Sequence, residues 1–219
     1  MTVSERLIDS VREIWEGYLR HPFVTGIGDG TLDEDKFRFY MIQDYRYLVD
    51  YARVFALGVA KAQTIADMRV FAAYVHEIMD VEMEIHRSYM KRLGIPEADA
   101  EQTPVSTVNA GYTAYMLRVA YDEGPAEIAA SILACAVSYE KIAYGLLAEH
   151  PEAADHPFYG EWIRGYANED YAAENRKLEA MLDRMTEGYS EERIQRLEEI
   201  FRICSDWETL FWDMAWEMK

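Results

Sequence analysis

Residues 37–55 read FRFYMIQDYRYLVDYARVF, and their apolar and aromatic side chains recur at steps of three and four. That spacing places them on one face of an α-helix, because the faces of a strand repeat every two residues. The helical period continues through nearly the whole chain, and no stretch alternates as a strand does. We therefore expect an all-α protein. The inward positions of this stretch are Phe37, Tyr40, Met41, Asp44, Tyr47, Leu48, Tyr51 and Phe55.

The pattern predicts about eight helices with short connections, folded as a single-domain helical bundle over residues 1–219. Residues 31–34 (TLDE) form a capping-box pattern ahead of the second helix, and Pro125 and Pro157 suit first helical turns. We interpret the glycine-rich residues 26–30 as a tight loop and residues 94–104 as a polar connection. Caps included, the predicted helices are 3–19, 31–61, 64–93, 107–121, 125–149, 157–167, 170–184 and 191–216.

The charge of the chain restricts its partners. A formal net charge of −18 repels phosphate backbones and anionic lipid headgroups. The opening residues MTVSERLIDS lack the apolar core of a signal peptide, and we find no window with the ~20 apolar residues of a membrane span. Cys135 and Cys204 are far apart in the chain, which is typical of free thiols in a reducing compartment. We expect a cytoplasmic protein without nucleic acid or membrane partners.

Three polar side chains fall on otherwise apolar helix faces. Asp44 lies within the aromatic face described above, Cys135 lies on the apolar face of the 125–149 helix, and Glu208 is central on that of the last helix. Burying an unpaired carboxylate is costly, so each acid needs a partner or a ligand. A tyrosine, an arginine or a helix end can satisfy each acid singly. Their occurrence together with a thiol on aromatic-lined faces favours a pocket in the bundle core.

The chemistry of such a pocket has two interpretations. Glu208 can accept a proton from the Cys135 thiol, although a buried free cysteine, such as Cys204, is more often an inert core side chain. The rival is a metal site, since helical bundles often hold di-iron centres. The Glu-x-x-His pattern of ferritin-like sites is absent, but Glu82 and His86 are four residues apart and leave another kind of metal site open.

Several segments resemble the TenA (thiaminase II) family, in order and over nearly the whole chain. Residues 21–32 (HPFVTGIGDGTL) are similar to the signature near the start of TenA proteins, and residues 40–48 (YMIQDYRYL) to the family's Gln-Asp…Tyr-Leu motif. The later matching residues are Glu82, Met83, His86, Tyr112, Thr113, Cys135, Tyr139, Glu140, His156, Pro157, Trp162, Ile163, Tyr166, Glu208, Phe211 and Trp212.

The resemblance implies a haem-oxygenase-like all-α fold assembled as a homotetramer, with neither a cofactor nor a metal. It also implies hydrolysis of 4-amino-5-aminomethyl-2-methylpyrimidine to the hydroxymethyl pyrimidine in thiamin salvage. Thiamin itself is a further substrate of the family. The sequence leaves open whether the natural substrate is the aminomethyl pyrimidine, its formylated precursor or thiamin. It also leaves open a dimer in place of the tetramer.

Residue by residue, the resemblance implies that Cys135 is the nucleophile of the cysteine-type branch and that Glu208 is its acid–base partner. It assigns Asp44 to the pyrimidine's amino group and ring nitrogens. The tyrosines that the resemblance places around the pocket are Tyr47, Tyr112, Tyr139 and Tyr166. Two alternatives remain at this stage: a metal-dependent oxidase of the same fold that uses Glu82 and His86, and a non-catalytic pyrimidine- or thiamin-binding protein.

Overall fold

The computed structural model describes residues 1–219 as α-helices with short connections and no strand, which confirms the all-α prediction. A π-helical segment, Ile78–Glu82, lies between α5 and α6, and a 3-10 turn, Ala153–Asp155, precedes α10. The helices are α1 (Val3–Ser10), α2 (Arg12–Leu19), α3 (Pro22–Gly28), α4 (Glu34–Lys61), α5 (Ile65–Glu77), α6 (Met83–Arg92), α7 (Glu97–Gln102), α8 (Thr107–Asp122), α9 (Pro125–Glu149), α10 (Gly160–Tyr166), α11 (Glu169–Met185) and α12 (Glu191–Glu217).

Helix α9 lies at the centre of the bundle and packs against α4, α8, α11 and α12. It begins as predicted, with Gly124 as N-cap and Pro125 in the first turn. Six alanines are among its buried residues between 126 and 143, and their small side chains let the neighbouring helices approach closely. An 18-residue window of α9 has a mean hydropathy of 1.2, so this 25-residue helix is long and apolar enough to cross a membrane, contrary to our expectation from sequence. However, 67% of that apolar window is buried inside the bundle, as in any central helix.

The predicted glycine loop after His21 is largely a short helix. The His21 ring accepts a hydrogen bond from the Phe23 N–H and so caps α3. Gly26 is required for close packing, because an added Cβ would lie 3.0 Å from the Leu32 Cβ. Among the glycines at 26–30, only Gly30, with φ of 75°, has the left-handed conformation of a turn. Glycine spacing alone did not distinguish close packing from a turn.

Other helix boundaries differ for local reasons. Asp33, and not the predicted capping box at 31–34, caps α4 by accepting from the Asp35 N–H at 2.8 Å. The connection at 94–104 contains the short helix α7. Helix α10 begins at Gly160, because the His156 ring accepts from the N–H groups of residues 158 and 159 and holds them in a turn.

The predicted helix at 64–93 is interrupted in its middle. Thr64 caps α5 as predicted, accepting from the Asp67 N–H at 3.1 Å. At Ile78–Glu82 the chain forms a π-helical turn, in which each N–H bonds five residues back, before α6 continues. The extra residue in this turn changes which side chains of α6 face α4, and a search for a constant helical period cannot detect it.

Gly58 marks the closest approach of α4 to α5, since a Cβ added there would lie 2.5 Å from the Phe71 ring. We expect Gly58→Ala to lower the free energy of unfolding by about 1–3 kcal/mol through overpacking. Gly17→Ala is the matched control, because Gly17 lies within α2 with nothing within 4 Å of the added Cβ. It should stabilise the protein by up to about 1 kcal/mol. Urea unfolding followed by circular dichroism measures both, and an unchanged Gly58→Ala midpoint would contradict this packing.

Candidate active site

A cavity of about 500 Å³ lies between α4, α5, the π-helical turn, α6, α9, α10 and α11. Its walls are mainly aromatic and aliphatic, with a few carboxyl groups and a single thiol. Such a cavity is large enough for a small ring compound and for a substituent attached to it. The sequence-predicted residues that border it are Asp44, Tyr47, Cys135, Tyr139 and Tyr166.

Cys135 lies half-way along α9, with 9% of its surface exposed. Burial raises the pKa of its thiol well above the ordinary range, and the negative charge of Glu208 raises it further. A hydrogen bond with the Tyr47 hydroxyl opposes this shift without outweighing it. Cys135 is therefore a neutral thiol at rest, and it needs a base to become a nucleophile.

Glu208 and Tyr112 lie behind the cavity wall and do not border it. The Tyr112 hydroxyl donates to Glu208 Oε1 at 2.9 Å, and both side chains are almost fully buried. Burial raises the pKa of Glu208 to about 8, against the opposing effect of hydrogen bonds from Tyr112 and the Cys135 thiol. Tyr112 thus holds a Glu208 carboxyl group whose charge acts on the Cys135 thiol, so Glu208 is the candidate to accept the proton of that thiol.

Asp44 is paired with His86, a contact that the sequence analysis did not predict. His86 Nε2 lies 2.8 Å from Asp44 Oδ2, and Nδ1 lies 3.1 Å from the carbonyl oxygen of Glu82. Burial lowers the pKa of His86, but the hydrogen bond and charge of Asp44 outweigh it, and the net pKa is raised. With an oxygen acceptor at each nitrogen, His86 is an imidazolium that holds Asp44 as an oriented carboxylate.

Ring contacts hold the tyrosines of the wall in place. Tyr47 packs on Tyr112 with 5.2 Å between ring centroids, and Tyr139 packs on Tyr166 at 4.9 Å. The Tyr40 hydroxyl donates to that of Tyr139 at 3.3 Å. These contacts leave little rotational freedom, so the rings form a preorganised slot for a flat, polar heterocycle.

Comparison with known proteins identifies the family. The model described as TENA/THI-4/PQQC family matches residues 8–218. The chain belongs to this family. The match confirms the family that the sequence motifs indicated.

Two bacterial relatives of this TenA-family chain are named aminopyrimidine aminohydrolase. The protein from Helicobacter pylori is 43% identical over 99% of this chain and 100% of its own length. The protein from Halalkalibacterium halodurans is 43% identical over 100% of this chain and 97% of its own length. Both matches span nearly the whole of this chain.

Solved structures agree with the family assignment. A TenA homologue from P. horikoshii OT3 superposes with a TM-score of 0.90 at 31% identity, over 99% of both chains. A Shewanella denitrificans domain with a heme oxygenase-like fold gives 0.79 at 15% identity, over 98% of this chain and 92% of that one, and indicates the fold alone. The predicted haem-oxygenase-like fold is confirmed.

The rival metal site gains no support from the geometry of the TenA-family pocket. Both nitrogens of His86 are engaged, one by Asp44 and the other by a backbone carbonyl. No group of three or more His, Cys, Asp or Glu side chains is arranged to hold a metal ion. Glu82 and His86, which the rival hypothesis grouped as ligands, instead hold protein partners.

The raised pKa of Glu208 has a consequence for stability. Because its folded pKa of about 8 exceeds that of an unfolded glutamate, the folded state retains an extra proton between these two values. Stability from this group is present at low pH and is lost as the pH rises through about 8.

Glu208→Gln cannot ionise at this position. We therefore expect its free energy of unfolding, relative to that of wild type, to increase as the pH is raised from 5 to 9. The gain should exceed about 2 kcal/mol, since each pKa unit is worth about 1.4 kcal/mol. Urea unfolding at both pH values measures the change, with Glu152→Gln, an exposed acid, as the control for loss of charge. A difference that is the same at both pH values would show that Glu208 is not held protonated.

Proposed function

We propose that this chain hydrolyses thiamin-derived aminopyrimidines, converting 4-amino-5-aminomethyl-2-methylpyrimidine to its hydroxymethyl form in thiamin salvage. One observation carries the proposal: a thiol and an oriented carboxylate border one aromatic cavity, and the charge of a buried acid, Glu208, acts on that thiol. The names of the 43% identical relatives support the same activity.

Each group has a part in the proposed reaction. The tyrosine-lined slot stacks the pyrimidine ring, and the Asp44 carboxylate accepts a charge-assisted hydrogen bond from the exocyclic amine. Glu208 then takes the thiol proton as the Cys135 sulfur adds to an electron-poor ring carbon. The geometry suits this step, because Cys135 borders the cavity, where the ring would lie, and Glu208 does not.

The later steps follow from that adduct. Electrons of the adduct expel the protonated amine from the methylene carbon, which leaves an exocyclic double bond. Water adds its oxygen to the methylene carbon, the carbon–sulfur bond breaks, and the departing thiolate is reprotonated. The sum is one water consumed and one amine released. In the same scheme thiamin loses its thiazole in place of ammonia, so thiamin cleavage is part of the proposal.

The assembly and location of the protein are further parts of the proposal. We propose a homotetramer in the cytoplasm. The two buried, unpaired cysteines support a reducing compartment. The family resemblance supports the tetramer.

Loss of the thiol should abolish turnover. We expect Cys135→Ser to reduce kcat for the aminomethyl pyrimidine by at least about 1,000-fold, as for other nucleophiles. Cys204→Ala is the matched control, since Cys204 is fully buried in α12 away from the cavity, and it should retain activity. Chromatography of the product in the presence of EDTA provides the measurement. A Cys135→Ser variant as active as wild type would exclude the thiol mechanism, and an inert wild type would favour a binding protein.

The pH profile tests the role of Glu208. Only the ionised carboxylate accepts the thiol proton, so kcat/KM should rise about tenfold per pH unit below the pKa of Glu208, about 8, and then level off. Steady-state assays between pH 6 and pH 9 measure this profile. A flat profile across the range would show that Glu208 is not the proton acceptor.

A further inference from the structure

Glu82 is a second acid at the cavity, and the proposed reaction does not use it. It closes the π-helical turn and borders the cavity, whereas Glu208 lies behind the wall. The Tyr166 hydroxyl donates to Glu82 Oε1 at 3.3 Å, and the Glu82 carbonyl oxygen accepts from His86. π-helical turns of this kind occur frequently at functional sites.

Glu82 has no basic partner of its own. The residues that border the cavity include no lysine, arginine or histidine. The nearby His86 is bonded to Asp44, and the Glu82 side chain receives only the neutral hydroxyl of Tyr166. Burial raises the pKa of Glu82 to about 7, with the negative charge of Asp44 adding to the shift and His86 opposing it. A carboxyl group in such surroundings gains from any cation that enters the cavity.

We propose that Glu82 is a specificity-determining residue that binds the ammonium group of the substrate. The pocket then selects a pyrimidine with a charged aminomethyl substituent over neutral pyrimidines of the same size. This inference rests on the proposed function and narrows its substrate class, because a formylated amine is neutral while a free primary amine is protonated at neutral pH. Held beside Glu82, the amine keeps its proton. It then leaves as neutral ammonia when the carbon–nitrogen bond breaks and its electron pair passes to nitrogen.

The test compares two ligands that differ in charge and hardly in size. These are the aminomethyl pyrimidine and the hydroxymethyl pyrimidine, measured by isothermal titration calorimetry at pH 8 in a Cys135→Ser background that prevents turnover. We expect Glu82→Gln to weaken binding of the aminomethyl ligand at least tenfold and that of the hydroxymethyl ligand less than twofold. The Gln side chain retains an oxygen that accepts from Tyr166, so a purely structural role survives the substitution.

Glu77→Gln is the matched control. Glu77 also borders the cavity but is exposed at its edge, so its loss should change both affinities less than twofold. Equal weakening of both ligands by Glu82→Gln would overturn the inference in favour of a structural role, and unchanged affinities would show that Glu82 does not contact the amine. Turnover by the wild type separates the two proposals. If the wild type hydrolyses the amine but Glu82→Gln does not weaken its binding selectively, the proposed function stands and the inference about Glu82 is wrong. If the wild type neither binds nor hydrolyses the amine, both are wrong.

Discussion

The hydrogen bond between His86 and Asp44 joins α6 to α4 inside the bundle, and the cavity wall depends on it. Neither charge has much contact with water, since the two side chains are 1% and 5% exposed. A buried ion pair of this kind contributes little net stability, but removing one partner leaves an uncompensated charge and is strongly destabilising. Replacing His86 with an uncharged side chain would therefore leave the Asp44 carboxylate buried without a partner. His86 engages Oδ2 of Asp44, and Asp44 borders the cavity, where a ligand can reach it.

The remaining acids of the pocket follow a different rule. Glu82 and Glu208 receive hydrogen bonds from tyrosine hydroxyls and from no cation. Burial raises the pKa of Glu82 to about 7 and that of Glu208 to about 8, and the tyrosine hydrogen bonds oppose this effect without outweighing it. Groups of this kind exchange protons readily at the pH of the cell, which is what acid–base chemistry requires. The cost is local stability, and such trade-offs are typical of active sites.

Much of this site could be predicted from periodicity. Asp44, Cys135 and Glu208 were singled out because each interrupts an apolar face at helical spacing, and each is buried in the structure. The same signal was present for His86, which shares a buried face of α6 with Met83 and Tyr89. Its pairing with Asp44 was not predictable, because the π-helical turn changes the register of α6 and no local pattern encodes that change. The helix at 22–28 was missed for a related reason, since glycine serves close packing as well as turns.

The central position of α9 also determines when the core of the bundle can be completed as the chain is synthesised. Its most extensive neighbour, α12, is the last helix of the chain, and more than forty residues separate the end of α9 from the start of α12. While the ribosome makes those residues, a long apolar helix lacks the surface that will cover it, and exposed surface of this kind promotes aggregation. The thiol on α9 and the carboxyl group on α12 meet only after that interval. The nascent chain therefore has no complete active site until its final helix docks.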